Sequence, residues 1–336
     1  MKKLTAILIA VLLLAACFTG CAAKTTTTPA AEQSQEASGD SYEVYYIAKQ
    51  LSDPFCNWCT NVMRTEFEEN YPNIHLTTFD GELSVDTRTK LLEDVIVKKP
   101  DMLILQYFDE AEVGAIQDVL DAGIPVVVTN GHYTSVDVDS FCSFVDIDPY
   151  EQGCVVARAA AERLPENAKV VLILGVAGNQ HNENRRQAWY DCLLAERPDI
   201  ELLAEANADW DKDKAMAIME DWIQAFPEID GVITCYDSMA LGAMEALKDA
   251  GRIDGVQIYG TDGLPDACLA IEAGEYTASV LQDGYAIGHG AVQIVVDNLI
   301  NHKSDIQKVF TETPLIDASN VEDMLKTHRA SGMLVD

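Results

Sequence analysis

Basic residues are in short supply in this sequence. Only 23 lysines and arginines face 55 aspartates and glutamates, a formal net charge of −32. Such a surface repels phosphate backbones and anionic headgroups, which argues against nucleic acid and acidic lipid as partners and fits the solubilising exterior of an exported protein. The apolar run at residues 4–16 is too short to span a bilayer comfortably. The Cys-x-x-Cys pair at 56 and 59 has no second such pair and no His-x3-His to complete a zinc site. No metal motif, phosphate loop, nucleophile triad or paired carboxylates at an interpretable spacing appear, which argues against a surface enzyme. Neither a tandem repeat nor a need for a cofactor is visible.

What is present begins with a targeting signal. Lys2 and Lys3 precede the apolar run, and small residues follow it. The sequence LAAC ending at Cys17 resembles the lipobox of bacterial lipoproteins, in which the cysteine is acylated and becomes the mature N-terminus. FTGC ending at Cys21 is a weaker match, and an ordinary cleaved signal is the alternative. Residues 1–16 then form the signal peptide, and 17–41 the lipidated cysteine and a flexible polar tether, including KTTTTPAAEQSQEASGD. The remainder is long enough for two domains with their own cores.

Seven cysteines lie beyond the signal: Cys56, Cys59, Cys142, Cys154, Cys192, Cys235 and Cys268. Their odd number and scattered apolar settings predict buried thiols, not a disulfide framework, and hint at a reducing habitat. The stretch SDPFCNWC at 52–59 allows three readings: a redox dithiol at a helix N-terminus, where the dipole lowers a thiol pKa; half of a metal clamp; or the rim of a pocket.

From residue 42 onward, short β-rich runs alternate with helical patterns. The runs are 44–48, 74–79, 102–106, 125–129, 169–174, 200–204, 232–235, 256–259 and 277–281. Several are nearly continuous in apolar residues, as parallel strands covered on both faces are. The alternation predicts α/β architecture with two doubly wound parallel sheets and a break near residues 146–149. In such sheets ligands bind beyond the carboxyl ends of the strands. There the sequence places Ser52, Asp53 and Phe55; Gln106, Tyr107 and Asp109; Asn130 and His132; Asn179 to Arg185; Trp210 between Asp209 and Asp211; Tyr236 and Asp237; Asp262; and Gln282. Carboxylates, amides, one arginine and aromatic rings suit a polyhydroxylated small molecule. Asp237 is expected to cap the helix that follows it.

These residues carry a resemblance. From about residue 42 to 326 the chain resembles the type I periplasmic sugar-binding proteins, near the galactose/glucose- and ribose-binding members. Asp53-Pro54-Phe55 matches the family's opening D/N-x-F, and IPVVVTN at 124–130 its Ile-Pro-Val strand. Arg185 with Trp189 matches its arginine and aromatic, Trp210 its ring after a polar strand end, and YDSMALGA at 236–243 its N-D-x-M-A-x-G-A helix. GTDGLP at 260–265 matches its G-x-D-x-x-P turn, and Gln282 its late amide.

The resemblance implies two Rossmann-like lobes joined by a three-strand hinge, 42–147 with 283–305 and 148–281 with 308–330. Phe55 and Trp210 would sandwich a sugar ring, while Asp53, Asn130, Arg185, Asp262 and Gln282 hydrogen-bond it. Cys56 would form the pocket wall and Cys59 pack one turn into the helix, which favours the pocket-rim reading of SDPFCNWC. Departures fall at Gly131, where the family has Lys or Arg; at Tyr236, an added ligand-binding position where Asn is typical; and at Asn179 and His181. LPENA at 164–168 is too short and poor in oxygen ligands for the family's calcium loop, so no metal is expected. The implied function is capture of a monosaccharide, hexose or pentose, by an extracytoplasmic, lipid-anchored monomer that delivers it to ABC transporter permease subunits. The rivals are inositol, a nucleoside or a furanosyl signal as ligand, or partnership with a sensor.

Overall fold

The computed structural model describes residues 40–134 and 142–334. Two six-stranded sheets carry the chain. The first is ordered β11-β5-β4-β3-β1-β2 and is built from β1 (Tyr42–Ala48), β2 (Ile74–Asp80), β3 (Met102–Gln106), β4 (Val126–Thr129), β5 (Ser143–Asp146) and β11 (Lys308–Phe310). The second is ordered β12-β10-β9-β8-β6-β7, from β6 (Lys169–Leu174), β7 (Glu201–Asn207), β8 (Gly231–Thr234), β9 (Gln257–Asp262), β10 (Ala278–Leu281) and β12 (Leu315–Asp317). All pairings are parallel except β10 with β12.

Every residue of β3, β4, β5, β8 and β10 is buried, which is why all but β5 read as nearly continuous apolar runs. Helices α1 (Pro54–Asn70), α2 (Val85–Lys98), α3 (Val113–Asp121) and α9 (Gly284–Leu299) accompany the first sheet. Helices α4 (Pro149–Arg163), α5 (Gln180–Trp189), α6 (Lys212–Ala225), α7 (Asp237–Asp249), α8 (Pro265–Glu272) and α10 (Val321–Ala330) accompany the second. Their starts are written locally: Asp53, Asp148, Asn179, Asp211 and Asp283 accept backbone N–H groups of α1, α4, α5, α6 and α9, and Pro54, Pro149 and Pro265 sit in first turns. No helix among the described residues is long and apolar enough to cross a membrane. Cys17, the lipidation candidate, lies outside them.

Three expectations need correction. Strand β11 pairs with β5, so residues 308–310, read from sequence as part of the second lobe, lie in the first sheet; the chain returns to the second only at β12. Cys154 and Cys192 form a disulfide with their Cα atoms 5.4 Å apart, because α4 packs against α5 and the helical turn Tyr190–Leu194 that continues it, bringing together positions that the sequence shows as scattered. The hint of a reducing habitat loses its support. Cys56, Cys59, Cys235 and Cys268 are free thiols, and these four and Cys142 are buried. Asp237 does not cap α7. Its carboxylate accepts from Leu264 N, Tyr276 Oη and Ser279 Oγ, tying the ends of β9 and β10 together, while burial pushes its pKa up to about 6.

Candidate ligand-binding site

The carboxyl ends of the two sheets face one cavity. Asp53, Phe55, Cys56, Asn130, Arg185, Trp210, Tyr236, Asp262 and Gln282 all line it, joined by Lys49, Gln50, Leu83 and His181. The cavity's volume is about 40 Å³, so the walls stand close together.

Asp53 works twice. Its Oδ1 caps α1 by accepting Cys56 N at 2.9 Å, and its Oδ2 accepts the Tyr236 hydroxyl at 2.7 Å across the lobes. Asn179, the cap of α5, adds a second bridge by donating Nδ2 to the Phe108 carbonyl at 3.1 Å. Cys56 lies in the first turn of α1, yet burial, reinforced by Asp53, pushes its thiol up, against the lowering expected from the helix dipole. Cys59 is raised likewise and first by burial. Neither is poised as a nucleophile.

Arg185 is 2% exposed and splayed across its surroundings. Its Nε and Nη2 both donate to Gln152 Oε1, Nη1 to the Cys235 carbonyl at 2.8 Å, and Nη2 to Gln282 Oε1 at 2.5 Å. A guanidinium has five hydrogens, so these four bonds leave one uncommitted. Asn130 Oδ1 and Asp262 Oδ1 are buried acceptors with no hydrogen-bond partner among the described residues. Both residues have positive φ, 53° and 116°, a backbone cost usually met at functional sites. Burial raises Asp262 well above the ordinary carboxylate range, with Asp237 and Asp53 adding to it and Arg185 opposing.

Trp210 is presented by a left-handed pair, Asp209 and Trp210, with φ of 53° and 65°. Its ring lies on Gly175, where a Cβ would come within 2.2 Å of the indole, and meets Tyr236 edge-on at 6.3 Å. Gly131 also has a reason: a Cβ there would strike the Tyr107 ring at 2.5 Å.

Several strand-end candidates do not line the cavity: Ser52, Gln106, Tyr107, Asp109, His132, Asn179 and Asp237. Gln106 is buried, its Oε1 accepting Lys49 N at 2.8 Å. His132 bonds Asp146 Oδ2 at 2.8 Å, at the end of β5 where the chain leaves the first lobe. Burial alone raises the Asp146 pKa, but its contacts with His132 and His181 outweigh that and lower it to about 2. Sequence reasoning passed over Lys49, Gln50 and Leu83, which precede or follow the recognised motif, and Gln152 and Gly175, which act only through Arg185 and Trp210. Among the described residues no cluster of three or more His, Cys, Asp or Glu side chains is arranged to hold a metal ion.

The cavity's walls hold two acids and two bases, Asp53 and Asp262 against Lys49 and Arg185. Orphaned acceptors and aromatic faces complete it. That chemistry takes up a neutral molecule rich in hydroxyls.

Comparison with known proteins agrees with this architecture. Residues 44–303 match the family described as periplasmic binding protein domain. A xylitol-binding protein of Mycolicibacterium smegmatis is 30% identical over 252 residues, covering 74% of this chain and 70% of the relative. A ribose import binding protein of Salmonella typhimurium is 28% identical over 221 residues, covering 66% and 73%. Among solved structures, an ABC transporter solute-binding protein of Bacillus halodurans with bound myo-inositol matches at a TM-score of 0.79 and 26% identity, covering 85% of this chain and 98% of that one.

Proposed function

The chain belongs to the periplasmic binding protein domain family, and from that premise we propose that it captures a monosaccharide or similar neutral polyol between its lobes and hands it to an ABC importer. The observation that carries this reading is the pair of buried, unpartnered acceptors, Asn130 Oδ1 and Asp262 Oδ1, beside the rings of Phe55 and Trp210 in a charge-balanced cavity. Hydroxyl groups supply the missing donors, and C–H faces lie against the rings. Asp53, Arg185 and Gln282 complete the hydrogen bonding, with Tyr236 and Cys56 as walls. Closure follows from affinity: only the closed arrangement engages both lobes, so the ligand favours it.

The family is one of extracytoplasmic solute-binding proteins, and no residue here is assigned a catalytic role. A monomer tethered to the membrane through an acylated Cys17 is the form we propose; mass spectrometry of the membrane-extracted N-terminus tests it, and a chain starting at Cys21 or released without lipid would refute it. The binding role is tested by thermal unfolding with D-ribose, D-allose, xylitol, myo-inositol, a nucleoside and an acidic sugar. A bound ligand at 100 times its Kd stabilises by about 2.7 kcal/mol. A neutral polyol should shift the midpoint. A shift by the acidic sugar alone would sink the reading.

A further inference from the structure

Beside the cavity the lobes also meet through two buried rings. Trp58 lies one turn beyond Phe55 on α1, wholly buried, with the two rings edge to face at 6.3 Å. Its other partner is His328 on α10, 5.1 Å away at an interplanar angle of 64°. Gly284 makes room for the indole, since a Cβ there would approach it to 2.6 Å. His328 is itself wholly buried, and its Nε2 lies 2.8 Å from the carbonyl oxygen of Gly263. A carbonyl only accepts, so Nε2 carries the proton, and burial keeps the ring neutral by lowering its pKa. The bare Nδ1, like the Trp58 indole Nε1, has no hydrogen-bond partner among the described residues.

Gly263 is the residue after Asp262. The turn they form holds φ of 116° and 70° in succession. Three anchors come from the second sheet and its neighbours: Ser279 Oγ accepts Gly263 N at 3.1 Å, Asp237 accepts Leu264 N at 2.9 Å, and Gln282 N donates to the Asp262 carbonyl at 3.2 Å. The Gly263 carbonyl is left to His328, aided by the weaker Cys268 thiol at 3.4 Å. A left-handed aspartate persists only where its surroundings over-determine it.

We propose that His328 is a positioning residue for the binding site: its bond to Gly263 sets the direction of the Asp262 carboxylate, and its contact with Trp58 links that direction to the approach of the two lobes. His328 does not line the cavity, so it reaches a bound molecule only through residues it holds, Asp262 by way of the Gly263 turn and Phe55 by way of Trp58. The proposal rests on the reading of that cavity as a polyol site.

The experiment is a double-mutant cycle by calorimetry, titrating D-ribose, D-allose, xylitol and myo-inositol. His328→Leu should weaken binding of the accepted polyol about tenfold, as a lost hydrogen bond of this kind does. His328→Gln, whose amide can still donate to Gly263, should restore most of it. His328→Asn, too short to reach, should behave like His328→Leu and covers the case in which the apolar variant fails to fold. In the Asp262→Asn background, His328→Leu should cost much less than it does in the wild type. Independent losses that multiply, or wild-type affinity in both His328→Leu and His328→Asn, would overturn the positioning role. Asp262→Asn binding at full strength would instead overturn the reading of the cavity itself.

Discussion

Asp262 shows how far a single residue can be read from a chain. Its place in a G-x-D-x-x-P turn was legible, as was its position at a strand end. Its cost was not, because burial, φ and the missing partner arise only when β9, β10 and α7 come together. The structure gives Asp262→Asn two opposite effects. Binding of the accepted polyol should weaken about tenfold or more, as loss of a charge-assisted bond implies. The empty protein should melt no lower and, at neutral pH, slightly higher, since an uncompensated buried carboxylate is removed and asparagine tolerates left-handed backbone. Trp210→Ala should likewise lose about tenfold or more in affinity, with little change in the empty protein. Calorimetry beside thermal unfolding separates the two readouts, and a collapse of the empty mutants would return both residues to structural roles.

Elements were legible to the degree that burial is symmetric. Strands buried on both faces announced themselves as apolar runs, while β5, β11 and β12 escaped notice, being three or four residues long with their pairing decided by distant chain. The close approach of β6's end to Trp210 was equally hidden. Gly175 has room for no side chain, so Gly175→Ala should push the Trp210 ring off the cavity wall and cut affinity about tenfold, roughly the cost of a displaced aromatic contact. Unchanged affinity and unchanged tryptophan fluorescence would show that the ring is not seated there. The hinge at β5 carries a pH signature. Burial lowers the His181 pKa to about 4, from 6.5 in an exposed setting. As pH falls from about 6.5 to about 4, the unfolded chain takes up a proton that the folded one refuses. His181 should therefore add a loss of stability of up to about 3 kcal/mol across that window, against the opposite contribution of Asp237, whose pKa burial raises to about 6. Urea unfolding at pH 7 and 4.5 tests this: His181→Asn should flatten the slope, and an identical slope in wild type and mutant would assign it elsewhere.

At the scale of the whole molecule, the first sheet depends on a late segment. Gln307 N donates to Ser143 Oγ, and Phe144 N donates to the Gln307 carbonyl. Helix α9 covers α1, with Gly288 so close to Val62 that a Cβ would lie 3.0 Å away. Residues 40–147 expressed alone should therefore fail to give a cooperative unfolding transition, and adding residues 283–310 through a linker should restore one. A cooperative transition in the short fragment would show that the first lobe is self-sufficient. The alternation of elements made two sheets readable from the sequence, but no local pattern marks a strand that belongs to a partner more than a hundred residues upstream.

That late closure has a consequence for a protein made inside a cell and used outside it. A chain threaded through a translocation pore emerges N-terminus first, so the face of α1 that receives α9 and the open edge of β5 appear long before their covers do. For most of its passage the first lobe is an unfinished, adhesive surface. Pairing of Cys154 with Cys192 becomes possible earlier, once α4 and α5 have emerged. The second lobe can thus be covalently secured while the first still waits, and a proteolytic nick near residue 305 would leave β11 and β12 held to the sheets they complete by pairing and packing alone.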